Sequence, residues 1–538
     1  MAHKIFRREN YTDQFPDFDL YFSGIANFCL KSFKNMDIKR AKQEIKDTIE
    51  AYLLKDAFGE YKIPAVRQRP ILLMGPPGIG KTQIMEQVAR ECKIGLVSYT
   101  ITHHTRQSAV GLPFIQEKEF GGQNFSVTEY TMSEIISSVY EKIKQTGIDE
   151  GILFIDEINC VSETLAPTML QFLQCKTFGN QKVPKGWVIV AAGNPPEYNK
   201  SVREFDIVTL DRIKKIDVAA SYDVWKEYAY RQGIHPAVIS YLELRKENFY
   251  RIETTVDGKY FATARGWEDL SELISVYEVL RKPIDRDVVY QYIQHPKTAK
   301  DFANYLELYY KYRKDYNIED ILKGHWDDSL LKKIHASPLD EHLGIVSLLN
   351  GRLAELFTES YTQDAYVAKL YEYLIYYKEN QITTMAEDIW HMAESDLARQ
   401  KQAGHLSRRE EAIFNRVVST LERYSVNIRG ELFIGDGVFD EIKALFETEV
   451  KDREEQIAYT SKTLQNVFNF MEEAFGESQE MVAFITELNA NYYSIWFIKE
   501  NGCDQYYRYN KGLLFDERQV DIVRQMDAAE EILNRGIK

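Results

Sequence analysis

The sequence lacks the residue patterns of several large classes of protein. Its five cysteines, Cys29, Cys92, Cys160, Cys175 and Cys503, are scattered without a CxxC pair, so neither a zinc site nor a disulfide framework is indicated. No apolar run reaches the roughly 18 residues that a membrane-spanning helix needs. The first residues, MAHKIFRRENYTDQF, lack the apolar segment and cleavage site of a secretory signal. We therefore expect a soluble, cytoplasmic protein with no membrane partner.

An excess of positive charge is also missing. The chain carries 67 Lys and Arg residues against 82 Asp and Glu residues, a formal net charge of −15 at pH 7. A protein that binds duplex nucleic acid needs a basic face to neutralise phosphates, so this balance disfavours nucleic acid as a partner. A local basic pore stays open as an alternative.

What the sequence does contain is a phosphate-binding loop in the stretch ILLMGPPGIGKTQ. It matches G-x-x-x-x-G-K-[ST] between an apolar strand and a helical pattern, and its glycines let backbone N–H groups point at phosphate oxygens. We expect Lys81 to reach the β and γ phosphates of ATP and the Thr82 hydroxyl to bind Mg²⁺. The predicted ATP-binding residues are Gly75, Pro76, Pro77, Gly78, Ile79, Gly80, Lys81, Thr82 and Gln83.

An acidic pair and an amide follow two later apolar segments, ILFIDEIN and WVIVAAGNPP. Asp156 provides a carboxylate for Mg²⁺, and Glu157 provides a second one at the same strand end. A water nucleophile needs a base beside the metal, whereas a substrate hydroxyl does not, so the pair favours ATP hydrolysis. Asn194 is placed to orient the attacking water.

The spacing of apolar runs predicts the fold class. The runs ILLMG, GLVSYT, GILFIDE, WVIVAAGN and IKKIDV are joined by helical or polar segments, the pattern of a parallel sheet covered on both faces. An amphipathic helix is expected from Asp37 to a point before Gly59. After Val218 helical patterns dominate, so the chain is an α/β domain followed by mainly helical segments.

Two local patterns leave alternatives. Tyr305, Tyr309, Tyr312 and Tyr316 share one helix face; aromatic packing between helices is favoured over a stacking platform for single-stranded nucleic acid. The adjacent His103 and His104 have no third ligand nearby, so a polar loop is favoured over a metal site.

Together these motifs resemble the AAA+ ATPases and, within them, the MoxR type. The resemblance rests on GPPGIGKT, ILFIDEIN, AAGNPP, VTLDRIKKIDV and FATARGWEDLS, and covers about residues 36 to 300. It implies a five-stranded AAA+ P-loop core at 36–218 after an N-terminal segment at 1–35, a helical lid at 219–300 and a mainly helical C-terminal extension at 301–538. It also implies a homo-oligomeric ring, usually a hexamer.

The resemblance also assigns roles to single residues. Lys81 and Thr82 become the Walker A contacts, Asp156 the Walker B metal holder, Glu157 the catalytic base and Asn194 sensor 1. Arg212, in Asp-Arg-Ile where the family usually has Asp-Arg-Phe, becomes the arginine finger, with Arg203 as its rival. Arg265 takes the sensor 2 position, with Ala264 in place of the usual Pro. The GGQNF turn between Phe120 and Phe125 resembles an inserted hairpin lining a central channel.

The function implied is ATP-driven remodelling or assembly of protein complexes, alongside a protein with a von Willebrand factor A (VWA) domain. Two alternatives stay open: a nucleic-acid-directed AAA+ motor in restriction or replication, and a slow nucleotide-dependent scaffold. The client, the ring size and the preference for ATP over GTP are not specified by the sequence.

Overall fold

The computed structural model describes residues 35–511, except 104, 179–180, 199–201, 203–204, 257, 381–385 and 430–435. His104 and Arg203 therefore lie outside the described residues, as does almost all of the predicted segment 1–35. The chain divides into two compact units, Met1–Ser221 and Tyr222–Lys538. The finer division of the second unit at residue 300 stays a prediction.

A parallel five-stranded sheet forms the centre of the first unit. The strands are β1 (Ile71–Met74), β2 (Gly95–Thr100), β5 (Gly151–Asp156), β8 (Trp187–Gly193) and β9 (Lys214–Asp217). Their order in the sheet is β2-β5-β8-β1-β9, and each neighbouring pair is parallel. These are the five predicted apolar runs, so the predicted α/β fold with a five-stranded parallel sheet is confirmed.

The side chains of the three inner strands, β5, β8 and β1, are buried on both faces of the sheet. Every residue of β1 and β8 is buried, as are the first five residues of β5. Trp187 closes one end of the sheet and leaves no room for side chains beside it: a Cβ on Gly151 would lie 2.7 Å from its ring. Such continuous burial requires helices on both faces of the sheet.

The described part of the first unit also contains helices and two hairpins. The helices are α1 (Ile38–Leu53), α2 (Lys81–Cys92), α3 (Arg106–Val110), α4 (Glu134–Thr146), α5 (Ala166–Cys175) and α6 (Ile207–Leu210). The hairpins are β3 (Pro113–Phe120) with β4 (Gln123–Tyr130), and β6 (Thr177–Phe178) with β7 (Gln181–Lys182).

Helix α1 begins where the sequence predicts and ends earlier than Gly59. The Asp37 carboxylate caps it by accepting a hydrogen bond of 2.7 Å from the Arg40 N–H. The helix ends at Leu53 because Leu54 adopts an extended backbone conformation. The GGQNF turn is confirmed as a hairpin, with the left-handed Gly121 and Gly122 at its tip.

The described residues of the second unit are almost entirely helical, with one small hairpin of β10 (Arg251–Thr255) and β11 (Gly258–Ala262). Its helices are α7 (Tyr222–Gln232), α8 (Pro236–Leu244), α9 (Ala264–Leu280), α10 (Arg286–Tyr292), α11 (Pro296–Asp315), α12 (Ile318–Leu322), α13 (Asp328–His335), α14 (Leu339–Asn380), α15 (Ala386–Ala403), α16 (Arg408–Arg429), α17 (Asp436–Ala474), α18 (Gln479–Ala490) and α19 (Tyr492–Asn501). None of the described helices is long and apolar enough to cross a membrane.

The tyrosine face of α11 and its end serves packing. Tyr309 is 6% exposed and Tyr316 is 1% exposed. The Tyr305 hydroxyl donates a 2.8 Å hydrogen bond to the Ser240 hydroxyl of α8. The buried rings of Tyr309 and Tyr316 cannot stack on bases, which supports the packing interpretation of this face.

Candidate nucleotide site

The candidate site lies where the carboxyl ends of three neighbouring strands meet. The phosphate loop, residues 75–80, follows β1, the acidic pair lies at the end of β5, and Asn194 directly follows β8. Because the strands are parallel, these ends share one edge of the sheet, the edge at which open α/β sheets bind their ligands.

Three glycines give the loop its shape. Gly75 lies so close to the chain after β9 that a Cβ there would be 2.9 Å from the Val218 carbonyl oxygen. Gly78 and Gly80 adopt left-handed backbone conformations, with φ of 74° and 89°, which residues with a side chain adopt at a cost. Gly80 is the N-cap of α2, so the first turn of this helix presents its N–H groups beside the loop.

The Lys81 side chain holds the loop closed from within. Lys81 is only 8% exposed, and a buried ammonium group is costly unless acceptors surround it. Its Nζ donates hydrogen bonds of 2.8 Å each to the Gly75 and Pro76 carbonyl oxygens and to Asn194 Oδ1. The positive charge is thus fixed between the loop and the end of β8.

Thr82 and Asp156 form the second contact across the site. The Thr82 hydroxyl donates a hydrogen bond of 2.9 Å to Asp156 Oδ2. A hydroxyl and a carboxylate oxygen are ligands that suit Mg²⁺, which keeps several waters and binds through few protein oxygens plus substrate phosphates. The predicted pair is therefore brought together, and its oxygens fit the metal.

Glu157 is set by an unusual turn. Its φ is 57°, a left-handed conformation for a residue with a side chain, and its N–H donates 2.9 Å to Asp156 Oδ1. The carboxylate accepts a hydrogen bond of 2.9 Å from the Thr102 hydroxyl. Backbone strain of about 1 to 3 kcal/mol of this kind is often found at functional sites, so the turn is consistent with a functional role for Glu157.

Two residues of the site escaped the sequence analysis. Thr102 lies just after β2, the edge strand beside β5, and contacts Glu157. Asn159 is 3% exposed and bonds to the backbone of Asn194 through both ends of its amide. The sequence signal that could have found Thr102 and Asn159 was their position. Each follows a strand that ends at the same edge of the sheet.

Arg212 lies apart from the phosphate loop in sequence, after the short helix α6. The Asp206 carboxylate caps α6, and the hydrogen bonds from Thr209 hold its pKa below the ordinary value. The Arg212 side chain is exposed, and its Nη1 donates a 2.5 Å hydrogen bond to Gln174 Oε1 of α5. Ile213, where Phe is usual, is 3% exposed within the apolar core.

Arg265 belongs to the second unit, at the first turn of α9. Thr263 caps this helix, Ala264 is buried and the Arg265 side chain is exposed. The sensor 2 role stays a prediction, as does the choice between Arg212 and Arg203.

The match to a family model adds an independent observation. Residues 71–210 match the model described as "ATPase family associated with various cellular activities (AAA)". The chain contains an AAA ATPase domain. This domain includes the loop, the acidic pair and Asn194, and its presence supports nucleotide binding and hydrolysis in general.

Two solved structures are similar to about half of the chain. Among solved structures, two mutants of Thermotoga maritima RuvB are similar at 15% and 14% identity, with TM-scores of 0.26 and 0.25. The first alignment covers 49% of this chain and 71% of RuvB, the second 47% and 69%. No curated protein matches the sequence.

Replacing Lys81 with Ala should weaken ATP binding by the AAA domain about 10- to 100-fold, because a charged hydrogen-bond donor contributes about 1.5 to 3 kcal/mol. Isothermal titration calorimetry of ATP with Mg²⁺ measures the change. Lys42→Ala, which removes a surface lysine paired with Glu91, is the matched control and should keep the affinity of the wild type. Equal affinities for Lys81→Ala and Lys42→Ala would contradict the assignment.

Proposed function

We propose that the AAA domain hydrolyses ATP to ADP and phosphate, with both the base and the sensor supplied by the edge of its own sheet. The observation that supports this most is the bond of 2.8 Å between Lys81 Nζ and Asn194 Oδ1. It joins the group expected to bind phosphate to the group expected to orient water. Glu157, at the end of β5, which pairs with the other side of β8, supplies the base.

Each residue has a separate task in this mechanism. Residues 75–83 bind the phosphates through backbone N–H groups and the Lys81 ammonium. Thr82 and Asp156 would hold Mg²⁺, which supplies positive charge against the phosphate oxygens when bound. Asn194 orients the water, and the Glu157 carboxylate accepts its proton. Thr102 holds that carboxylate by its hydroxyl.

The arginine finger is expected to act on a neighbouring subunit. The Arg212 side chain is exposed, and its hydrogen bond to Gln174 of α5 holds the guanidinium group in place. An arginine delivered in trans stabilises charge on the transferred phosphoryl group, worth about 10³ to 10⁵ in rate in other systems. We therefore propose a homo-oligomeric ring, usually a hexamer by the AAA+ resemblance, in which each site is completed by the next subunit. The sensor 2 role of Arg265 rests on the same resemblance.

Complementation between two inactive variants tests this arrangement. Glu157→Gln should bind ATP but lose turnover at least about 100-fold, because it lacks the base. Arg212→Ala should bind ATP and lose turnover about 10³-fold or more. Mixing the two should restore phosphate release, since Glu157 of one subunit then meets Arg212 of the other.

The double variant Glu157→Gln with Arg212→Ala is the control, and mixing it with Arg212→Ala should restore nothing. Full activity of Glu157→Gln alone would rule out its role as the base. If Arg203→Ala, and not Arg212→Ala, complements Glu157→Gln, then Arg203 is the finger.

The hairpin of β3 and β4 supports a protein client over a nucleic acid. Its side chains are apolar and exposed at several positions: Phe114 is 43% exposed, Ile115 77%, Phe120 56% and Phe125 48%. Within residues 113–130 there are three acidic residues and one basic residue, Lys118, and Lys118 is paired with Glu129. Such a surface can bind apolar polypeptide segments but offers little to phosphates.

We therefore infer that the protein remodels or assembles protein complexes as a MoxR-type ATPase, with a VWA-domain protein as its expected partner. The MoxR type and the partner rest on the resemblance of the sequence motifs, and the hairpin is the added support for a protein client.

Replacing Phe120 and Phe125 with Ser should abolish stimulation of ATP turnover by a permanently unfolded, carboxymethylated polypeptide. Basal turnover should persist, because the hairpin carries none of the catalytic residues. Val279→Ser removes an apolar side chain of α9 that is 83% exposed and should leave the stimulation intact. Stimulation of the wild type by DNA alone would favour a nucleic-acid motor, and indifference to both additions would favour a slow scaffold.

A further inference from the structure

We infer that Asn159 is a positioning residue for hydrolysis, which aligns Asn194 by holding its backbone. The inference rests on the proposed ATPase function and deepens it. Asn159 follows the acidic pair by two residues, yet its partner lies 35 residues later in the chain.

The amide of Asn159 pairs with both backbone groups of Asn194. Nδ2 donates a hydrogen bond of 2.8 Å to the Asn194 carbonyl oxygen, and Oδ1 accepts one of 3.3 Å from the Asn194 N–H. A side chain that pairs with both groups of one residue fixes the orientation of that residue. Since the Asn194 side chain bonds in turn to Lys81, the alignment extends to the phosphate loop.

Backbone hydrogen bonds on both sides of Asn159 fix its position in the turn. The Ile158 N–H donates 2.9 Å to the Ala192 carbonyl, and the Cys160 N–H donates 2.9 Å to the Glu157 carbonyl. These bonds turn the chain so that the buried Asn159 side chain faces the end of β8.

Gly193 leaves the space that Asn159 occupies. A Cβ at residue 193 would lie 2.6 Å from Asn159 Oδ1 and 2.9 Å from its Cγ, distances at which the amide must move. Gly193 therefore has a specific reason to be glycine: the amide packs against its Cα.

Only an asparagine side chain supplies this contact. The Asn159 side chain is 3% exposed. Its short amide has one group that donates and one that accepts hydrogen bonds, and both are used here. Aspartate would place a buried negative charge against the Asn194 carbonyl oxygen, and alanine would leave both Asn194 backbone groups without these partners. A polar group that loses its hydrogen-bond partner on burial destabilises the arrangement that it held.

The test is a double-mutant cycle on the full-length protein. Asn159→Ala should lower kcat about 10-fold or more while the affinity for ATP, measured by calorimetry, stays within about threefold, because the contact aligns Asn194 and does not touch the loop directly. In an Asn194→Ala background, Asn159→Ala should cause no further loss of kcat. Gly193→Ala should reproduce the effect of Asn159→Ala, since its methyl group displaces the amide.

Gln68 provides the matched control. It is a buried amide, 6% exposed, that donates to the Tyr52 and Ile63 carbonyls before β1, at the opposite edge of the sheet. Gln68→Ala should lower the melting temperature without lowering kcat, which separates lost stability from lost alignment.

The outcomes distinguish failure of the proposed ATPase function from failure of the positioning role of Asn159. A wild-type protein that binds ATP without turnover refutes the proposed function. Turnover in the wild type that Asn159→Ala retains, or losses that multiply with those of Asn194→Ala, refute the positioning role alone. If Asn159→Ala does not fold, Gly193→Ala and the milder Asn159→Ser decide the question by the same readouts.

Discussion

The buried ammonium of Lys81 is the constraint on which the candidate site depends. A charge removed from water must be surrounded by acceptors, and the acceptors here are two loop carbonyls and the Asn194 amide oxygen. Meeting that requirement brings the loop after β1 against the residue after β8. The strand order places β8 between β1 and β5, so the same edge also receives Asp156 and Glu157.

Hydrogen bonds at this edge link residues that are distant in sequence. Thr82 bonds to Asp156, Thr102 to Glu157 and Asn159 to Asn194. The first contact joins the two groups expected to hold Mg²⁺, and the other two hold the expected base and the expected sensor. Lys81 joins the phosphate loop to Asn194 directly.

The sheet and the core of the site could be predicted because their signals are local. Five apolar runs predicted five strands, and the motifs at their ends predicted the loop, the acidic pair and Asn194. Asn159 and Thr102 could not be assigned, because their roles depend on partners across the sheet. The positive φ of Glu157 is likewise a product of the folded turn. The roles of Arg212 and Arg265 stay predictions. The role of Arg212 needs a second subunit, and Arg265 belongs to the other compact unit of the chain.

We propose an ATPase site that a neighbouring subunit completes. Its most direct test is the mass of the Glu157→Gln protein in solution, measured by light scattering with and without ATP and Mg²⁺. The account predicts a ring that forms or is stabilised when ATP is bound and cannot be hydrolysed. A protein that binds ATP yet remains a monomer at every concentration would contradict it, because Arg212 could then not reach the site of another subunit.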